Sequence, residues 1–246
     1  MKMQQYVYPR IVGHVLVAYL QISYFMEMKR KLADALPTHP ELQEFAALLT
    51  RYLTIWNLLF QVVYACGALI CDVTTALKME AVVPTWFRRH RFTFFNGIVV
   101  PFMMGVSIFW PVFLYDRSLI LPKHLDVAIS PTCNFLWHGA IIIYSFWETR
   151  FLPRDTAKNT TVNILVAAIV AYIATLLYTR YVDLGIWPYG FMAQLEGTVF
   201  LYISLAFAVS FMILTYFIQF YVRNFIWQMR KEKKIADRLE KVMKDK

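Results

Sequence analysis

Polar side chains that could do chemistry recur at helical spacing inside apolar stretches of the sequence. Thr54, Asn57 and Gln61 are spaced i, i+3, i+7, and Asn134 and His138 are spaced i, i+4, so each set lies on one face of a helix. A hydroxyl beside an imidazole is the minimum for nucleophilic catalysis, because histidine removes the proton as threonine attacks an acyl carbon. The pattern therefore indicates Thr54 and His138 as a candidate hydrolytic pair.

Structural explanations and other chemistries stand beside this interpretation. Threonine in a spanning helix commonly bonds its own i−4 carbonyl, and Asn or Gln commonly bonds a neighbouring helix. A haem held by His14 and His138 is a further alternative, although no haem motif supports it. Cys66, Cys71 and Cys133 form no CxxC or Cys/His cluster, so the sequence predicts no zinc site and no disulfide framework. We expect no metal and no cofactor.

The elements that must position these residues are membrane helices. Of the 246 residues 59% are hydrophobic and the mean hydropathy is +0.48, whereas soluble domains are about 45–50% apolar. A spanning helix needs about 20 apolar residues. We predict an all-α polytopic membrane protein with a single transmembrane domain over residues 1–227 and a basic tail over residues 228–246. About six spans are expected, at residues 9–28, 45–77, 92–115, 127–149, 161–182 and 196–222.

The distribution of positive charge predicts the orientation. With six spans, 18 of the 25 lysines and arginines, Lys2, Arg10, Arg91 and Arg154 among them, fall on the face that holds both termini. Cytoplasmic loops carry the excess of Lys and Arg, so we expect both termini in the cytoplasm. The membrane is expected to be the endoplasmic reticulum or the plasma membrane. A five-span arrangement with the N-terminus outside is the alternative. We expect no nucleic-acid partner and no obligate protein partner.

The start of the second span bears on how deep the candidate residues lie. Thr38-His39-Pro40-Glu41 fits a capping box, which predicts an unbroken helix that enters the bilayer near Phe45. If the fourth span enters near Ile129, Thr54 and His138 both lie nine residues from the same face, or roughly 13–14 Å at 1.5 Å per residue. At equal depth the two side chains could meet.

Several motifs share their order and spacing with a known family. They are Tyr52-Leu53-Thr54 with Gln61 and Asp72, Tyr115-Asp116-Arg117 with Pro122-Lys123 and Asp126, Asn134 with His138, and Trp187-Pro188-Tyr189. Together these motifs resemble the androgen-induced protein / androgen-dependent TFPI-regulating protein family over about residues 45–227. Members of that family are multi-pass membrane threonine hydrolases.

The resemblance implies a reaction and a role for two residues. It implies hydrolysis of fatty acid esters of hydroxy fatty acids, a lipid substrate taken from the bilayer, with Thr54 as nucleophile and His138 as general base. Two positions depart from the family pattern. Phe135 stands where the family often has a histidine, which leaves the catalytic pair intact. Asn57 stands where relatives can carry an acidic residue, which removes a candidate orienting carboxylate.

Two further residues are candidates for supporting roles in such an esterase. Asn134 could orient His138 or donate to the oxyanion, and Arg51, one turn from Thr54, could hold a substrate carboxylate or extend to the membrane interface. The alternative function is a non-catalytic membrane lipid-binding or transport protein, in which the same polar residues line a cavity.

Overall fold

The chain is all-α, as the sequence predicts. The computed structural model describes residues 6–152 and 158–244, and all regular structure within these two ranges is helical. Turns of π-helix at Phe95–Val99 and Leu136–Ala140 join successive α-helices, and a third at Thr179–Asp183 extends α9. The α-helices are α1 (Val7–Ala35), α2 (Leu42–Leu48), α3 (Leu53–Ala76), α4 (Thr85–Phe94), α5 (Val100–Ser107), α6 (Phe109–Tyr115), α7 (Pro131–Phe135), α8 (Ile141–Thr149), α9 (Asn159–Tyr178), α10 (Gly190–Leu195) and α11 (Val199–Lys244).

Five helical stretches in the described ranges are long and apolar enough to cross a membrane, so the chain is a multi-pass membrane protein. The helix that corresponds to the fourth predicted span, α7 and α8 together, is less apolar because it contains Asn134, His138 and Glu148. The sixth span and the cytoplasmic location of the termini therefore stay predictions. The five stretches are Val7–Ala35, Leu53–Ala76, Thr85–Tyr115, Asn159–Asp183 and Val199–Lys233.

The second predicted helix is broken, contrary to the prediction of one continuous element. Its first part, α2, is followed by a short 3-10 turn, and Tyr52 then adopts an extended conformation (φ −74°, ψ 135°) before α3 begins at Leu53. The expected capping box is also absent, because the Thr38 hydroxyl donates to the Ala35 carbonyl instead. As a result Thr54 lies in the first turn of a helix rather than in its interior.

Five ionisable side chains form a buried ion network, which we define as Arg10, His14, Asp72, Arg91 and Glu148. Arg10 Nη2 lies 3.1 Å from Glu148 Oε1 and 3.3 Å from Asp72 Oδ2, and Arg91 Nη1 lies 3.4 Å from Asp72 Oδ1. His14 Nε2 lies 3.4 Å from Asp72 Oδ2. The network joins α1, α3, α4 and α8.

The ion network changes how the charge count must be understood. Arg10, counted with the N-terminus, and Arg91, counted in the 78–91 loop, are buried and paired inside the bundle, so neither is a solvated charge at the membrane surface. Lys2 and Arg154 from the same count lie outside the described residues. The predicted tail is continuous with the last span, since α11 runs to Lys244, and residues 245–246 are not described.

Candidate functional site

Thr54 and His138 meet in the bundle. Thr54 Oγ1 lies 3.0 Å from His138 Nε2, a hydrogen-bond distance, although 84 residues separate them in the sequence. His138 is buried, with 6% of its surface exposed, and Thr54 is half-buried. The hydroxyl thus lies against the one ring nitrogen that can accept its proton.

The tautomer of His138 follows from its second contact. His138 Nδ1 lies 3.0 Å from the backbone carbonyl oxygen of Asn134, which can only accept. The proton of a neutral imidazole is therefore on Nδ1, and Nε2 carries the lone pair that faces Thr54. This arrangement suits a general base.

Neighbouring aromatic residues fix the position of the imidazole. The Phe109 ring stacks on it with centroids 3.8 Å apart and planes 21° apart, and Trp110 Nε1 donates to the His138 carbonyl oxygen at 2.9 Å. His138 also lies in the π-helical turn Leu136–Ala140, a helix distortion that is frequent at functional sites. Both the ring and the backbone of the histidine are thus held from α6.

Thr54 is the second residue of α3, and this position has an electrostatic consequence. The first N–H groups of a helix have no intrahelical acceptor and carry the positive end of its dipole. The Thr54 N–H has no hydrogen-bond acceptor among residues 6–152 and 158–244. A donor is therefore free directly beside the hydroxyl.

Two tyrosines hold the break in the helix that precedes Thr54; we call Tyr172 and Tyr189 the tyrosine clamp. The Leu53 N–H donates to Tyr189 Oη at 2.8 Å, and the Tyr172 hydroxyl donates to the Arg51 carbonyl at 3.3 Å. The two hydroxyl oxygens lie 2.9 Å apart. The clamp therefore provides hydrogen-bond partners for backbone groups on both sides of Tyr52, because the break in the helix removes their intrahelical partners.

A largely apolar cavity of about 660 Å³ opens beside the pair. Thr54, His138 and both clamp tyrosines line it, together with side chains of α5, α6, α10 and α11. Its volume is within the roughly 300–1,000 Å³ of small-molecule sites. The few polar groups in an otherwise apolar wall suit a ligand with a long hydrocarbon chain.

The two predicted supporting residues are placed differently from the catalytic candidates. Asn134 contacts His138 through its backbone carbonyl, while its side-chain Oδ1 is buried without a hydrogen-bond partner among the described atoms. Arg51 Nη2 pairs with Asp183 Oδ2 at 3.0 Å, and Arg51 is not part of the cavity wall. The structure thus brings Asn134 to the pair, and it places Arg51 outside the cavity with an anionic partner of its own.

Gln61, on the same polar face of α3 as Thr54, contacts a neighbouring helix, whereas Asn57 is buried with no hydrogen-bond partner for its Oδ1 among the described atoms. Gln21 Nε2 donates to Gln61 Oε1 at 2.9 Å and so links α1 to α3.

His14, the other histidine considered for haem ligation, belongs to the ion network instead of facing His138. No group of three or more His, Cys, Asp or Glu residues in the described ranges is arranged to hold a metal ion.

Three contacts that shape the site are not predicted from the sequence: the stacking of Phe109 on His138, the hydrogen bond from Trp110 to the His138 carbonyl, and the tyrosine clamp. Tyr189 was noted only as part of a motif. A tyrosine or tryptophan at a membrane interface is common for purely physical reasons. The hydroxyl of a buried tyrosine needs a hydrogen-bond partner. This requirement is the one signal that could have indicated a role for Tyr172.

Comparison with known proteins gives consistent matches. The family described as FAR-17a/AIG1-like protein matches residues 14–223. The androgen-dependent TFPI-regulating protein of Rattus norvegicus is 34% identical over 165 residues, which cover 65% of this chain and 70% of that protein. The human protein of the same name is 33% identical over 149 residues, covering 59% of this chain and 64% of that protein.

A more distant relative is the androgen-induced gene 1 protein of Homo sapiens, which is 25% identical over 151 residues that cover 58% of this chain and 62% of that protein. The matched part thus spans less than two thirds of either human relative. No solved structure matches the chain.

Proposed function

We propose that this chain, which belongs to the FAR-17a/AIG1-like protein family, is an intramembrane esterase that hydrolyses fatty acid esters of hydroxy fatty acids. Thr54 is the proposed nucleophile and His138 the proposed general base. The observation that carries the proposal is the 3.0 Å contact between Thr54 Oγ1 and His138 Nε2 in the wall of an apolar cavity. The choice of ester follows from the resemblance described above.

The proposed reaction begins with attack by Thr54 Oγ1 on the ester carbonyl carbon. His138 Nε2 takes the hydroxyl proton as the C–O bond forms, and the imidazolium then returns this proton to the alkoxide of the hydroxy fatty acid as it leaves. Water, deprotonated by the same nitrogen, hydrolyses the acyl-threonine. One ester and one water thus yield one fatty acid and one hydroxy fatty acid.

The developing oxyanion needs a donor that is in place before reaction. We assign this role to the N–H of Thr54, because it belongs to the first turn of α3 and has no acceptor within the described part of the chain. The helix dipole acts in the same direction. One preorganised donor of this kind is worth about 3 kcal/mol of transition-state stabilisation.

The supporting contacts of His138 fit the same chemistry. Donation from Nδ1 to the Asn134 carbonyl keeps the lone pair on Nε2, which is the arrangement that a general base requires. A backbone carbonyl holds a neutral imidazole in place without the negative charge of a carboxylate. In our proposal Asn134 therefore orients His138 through its main-chain carbonyl, and its side-chain amide is not needed as the oxyanion donor.

Turnover by purified protein tests the proposal. We expect wild type to release fatty acid from a long-chain ester of a hydroxy fatty acid, and Thr54→Ala and His138→Ala to lose at least roughly 100-fold in rate. Thr54→Ser, which keeps a hydroxyl, should retain part of the activity. A fluorophosphonate probe should label wild type at Thr54.

The matched control is Thr175→Ala, since Thr175 is half-buried like Thr54, is not part of the cavity lining, and its hydroxyl only bonds the Ala171 carbonyl at 2.9 Å. This variant should turn over ester like wild type. If Thr54→Ala and His138→Ala also keep full turnover, the assignment is wrong. Tight lipid binding by wild type without any ester cleavage would favour the non-catalytic lipid-binding protein instead.

A further inference from the structure

The cavity beside Thr54 has one wall that faces away from the bundle. Its lining includes Pro111 and Tyr115 of α6 and Phe207 of α11, all of which are exposed; Tyr115 is 86% and Phe207 60% exposed. Exposed residues of spanning helices face lipid. The cavity is therefore in contact with the hydrocarbon region between α6 and α11.

A one-residue interruption of the third span lies beside this opening. Pro111 has no N–H to donate to the Ser107 carbonyl one turn earlier, and proline in a helix interior kinks or ends the helix. The structure has a one-residue interruption at Ile108, between α5 and α6, with the backbone still in the helical region (φ −59°, ψ −20°). Ser107, Ile108 and Phe109, around this interruption, all line the cavity.

Helix α11 contacts α5 closely but is separated from α6. A Cβ atom on Gly105 would lie 3.0 Å from Met212 Cγ, so the absence of a side chain at Gly105 allows α11 to approach α5 closely. Within the described ranges, α11 makes no comparable contact with α6. Both α6 and α11 instead line the cavity, with Ser204 and Ala208 on the side of α11.

We infer that the gap between α6 and α11 is a lateral portal through which a long acyl chain passes between the bilayer and the cavity. The inference deepens the proposed esterase function, because it specifies a substrate whose hydrocarbon chain is held while its ester reaches Thr54. The occupant is an acyl chain because the gap is apolar, faces lipid and is continuous with the cavity wall that carries Thr54 and His138.

The position of the portal follows the chemistry of such a substrate. A lipid ester dissolved in the bilayer does not need to leave the hydrocarbon region to reach a cavity that opens sideways. A short, water-soluble ester has no long chain to accommodate in the gap. Narrowing the gap should therefore affect long-chain ligands selectively.

Two tryptophan substitutions on α11 test the portal. Ala208 lines the cavity, whereas Ala206 is exposed and outside its lining, so Ala208→Trp fills the gap and Ala206→Trp is the matched control. Binding of cis-parinaric acid, a fluorescent long-chain fatty acid, is measured on the purified variants. Turnover of a long-chain ester is measured beside that of p-nitrophenyl acetate.

We expect Ala208→Trp to weaken parinaric acid binding about tenfold or more and to lower the ratio of long-chain to short-chain turnover by a similar factor. Ala206→Trp should change both by less than about twofold. Equal binding by the two variants, or no binding by wild type, would overturn the portal. If Ala208→Trp loses parinaric acid binding while wild type binds it but cleaves neither ester, the result would support the portal and refute the esterase.

Discussion

Replacing Glu148 by alanine leaves the ion network with two arginines, Arg10 and Arg91, but only one carboxylate, Asp72. Glu148 is fully buried and accepts from Arg10 Nη2 at 3.1 Å and from the Tyr64 hydroxyl at 2.5 Å. With both carboxylates present, Asp72 and Glu148 balance Arg10 and Arg91. Without Glu148 the ion network carries one net positive charge that water does not reach.

The structure sets the scale of the effect. Removing one partner of a buried ion pair costs about 3–5 kcal/mol, because the other charge stays buried. For chains of 150–250 residues each kcal/mol lowers Tm by about 2–4 °C. Glu148→Ala should therefore lower the Tm of the purified protein by roughly 6–20 °C, measured by thermal unfolding in detergent.

The double variant Arg10→Met/Glu148→Leu separates lost charge balance from lost packing. It removes one cation and one anion together, and Asp72 keeps Arg91 at 3.4 Å. We expect it to recover most of the lost Tm, since apolar residues commonly replace a buried pair at little cost. A Glu148→Ala protein as stable as wild type, or a double variant less stable than the single one, would refute the reasoning.

Three further predictions concern the site and the topology. Tyr189→Phe removes the acceptor of the Leu53 N–H, so it should cost about 1–3 kcal/mol of stability and lower ester turnover. Trp110→Phe removes the donor to the His138 carbonyl and part of the ring that packs on Phe109 and Phe113, and it should cost about 1 kcal/mol for the lost hydrogen bond with a smaller loss of turnover. If the termini are cytoplasmic, the sequon that begins at Asn159 faces the cytosol, and glycosidase treatment should not change gel mobility.

Each of these predictions has a control within the chain. Tyr178→Phe and Trp86→Phe alter exposed rings of the same types and should leave stability and turnover unchanged. If Tyr189→Phe or Trp110→Phe behaves like its control, the hydrogen bond in question does not position the site. A wild type that migrates more slowly than Asn159→Gln, with glycosidase removing the difference, would reverse the predicted orientation.

The meeting of Thr54 and His138 could be anticipated because spacing and depth are local properties of helices. Each residue lies on a polar face that the i, i+3 and i+4 rules identify, and the rise per residue gives its depth. The helix break that places Thr54 in a first turn could not be anticipated. It depends on the hydroxyls of Tyr172 and Tyr189, which are more than a hundred residues away in the sequence.

Charged residues were the least predictable part of the fold. Sequence reasoning assigned Arg10 and Arg91 to loops because most arginines near span ends are solvated, and a partner for each could be found only in three dimensions. The same applies to Arg51, whose pairing with Asp183 depends on the π-helical extension of α9. Hydropathy likewise ranks α7 and α8 below the other predicted spans, because they contain Asn134, His138 and Glu148, which are buried within the protein.

The low hydropathy of residues 131–149 has a consequence for biogenesis. A segment with a histidine and a buried glutamate has little tendency to enter lipid alone, since ionisable groups at the bilayer centre are costly for an isolated helix. If residues 131–149 form the predicted sixth span, this helix is stable in the membrane only once Arg10 and Tyr64 are present to receive Glu148. Its insertion then follows that of α1 and α3, and the hydroxyl–imidazole pair forms only when the bundle closes. Under the proposed function, a newly made chain is inert toward membrane lipids until its assembly is complete.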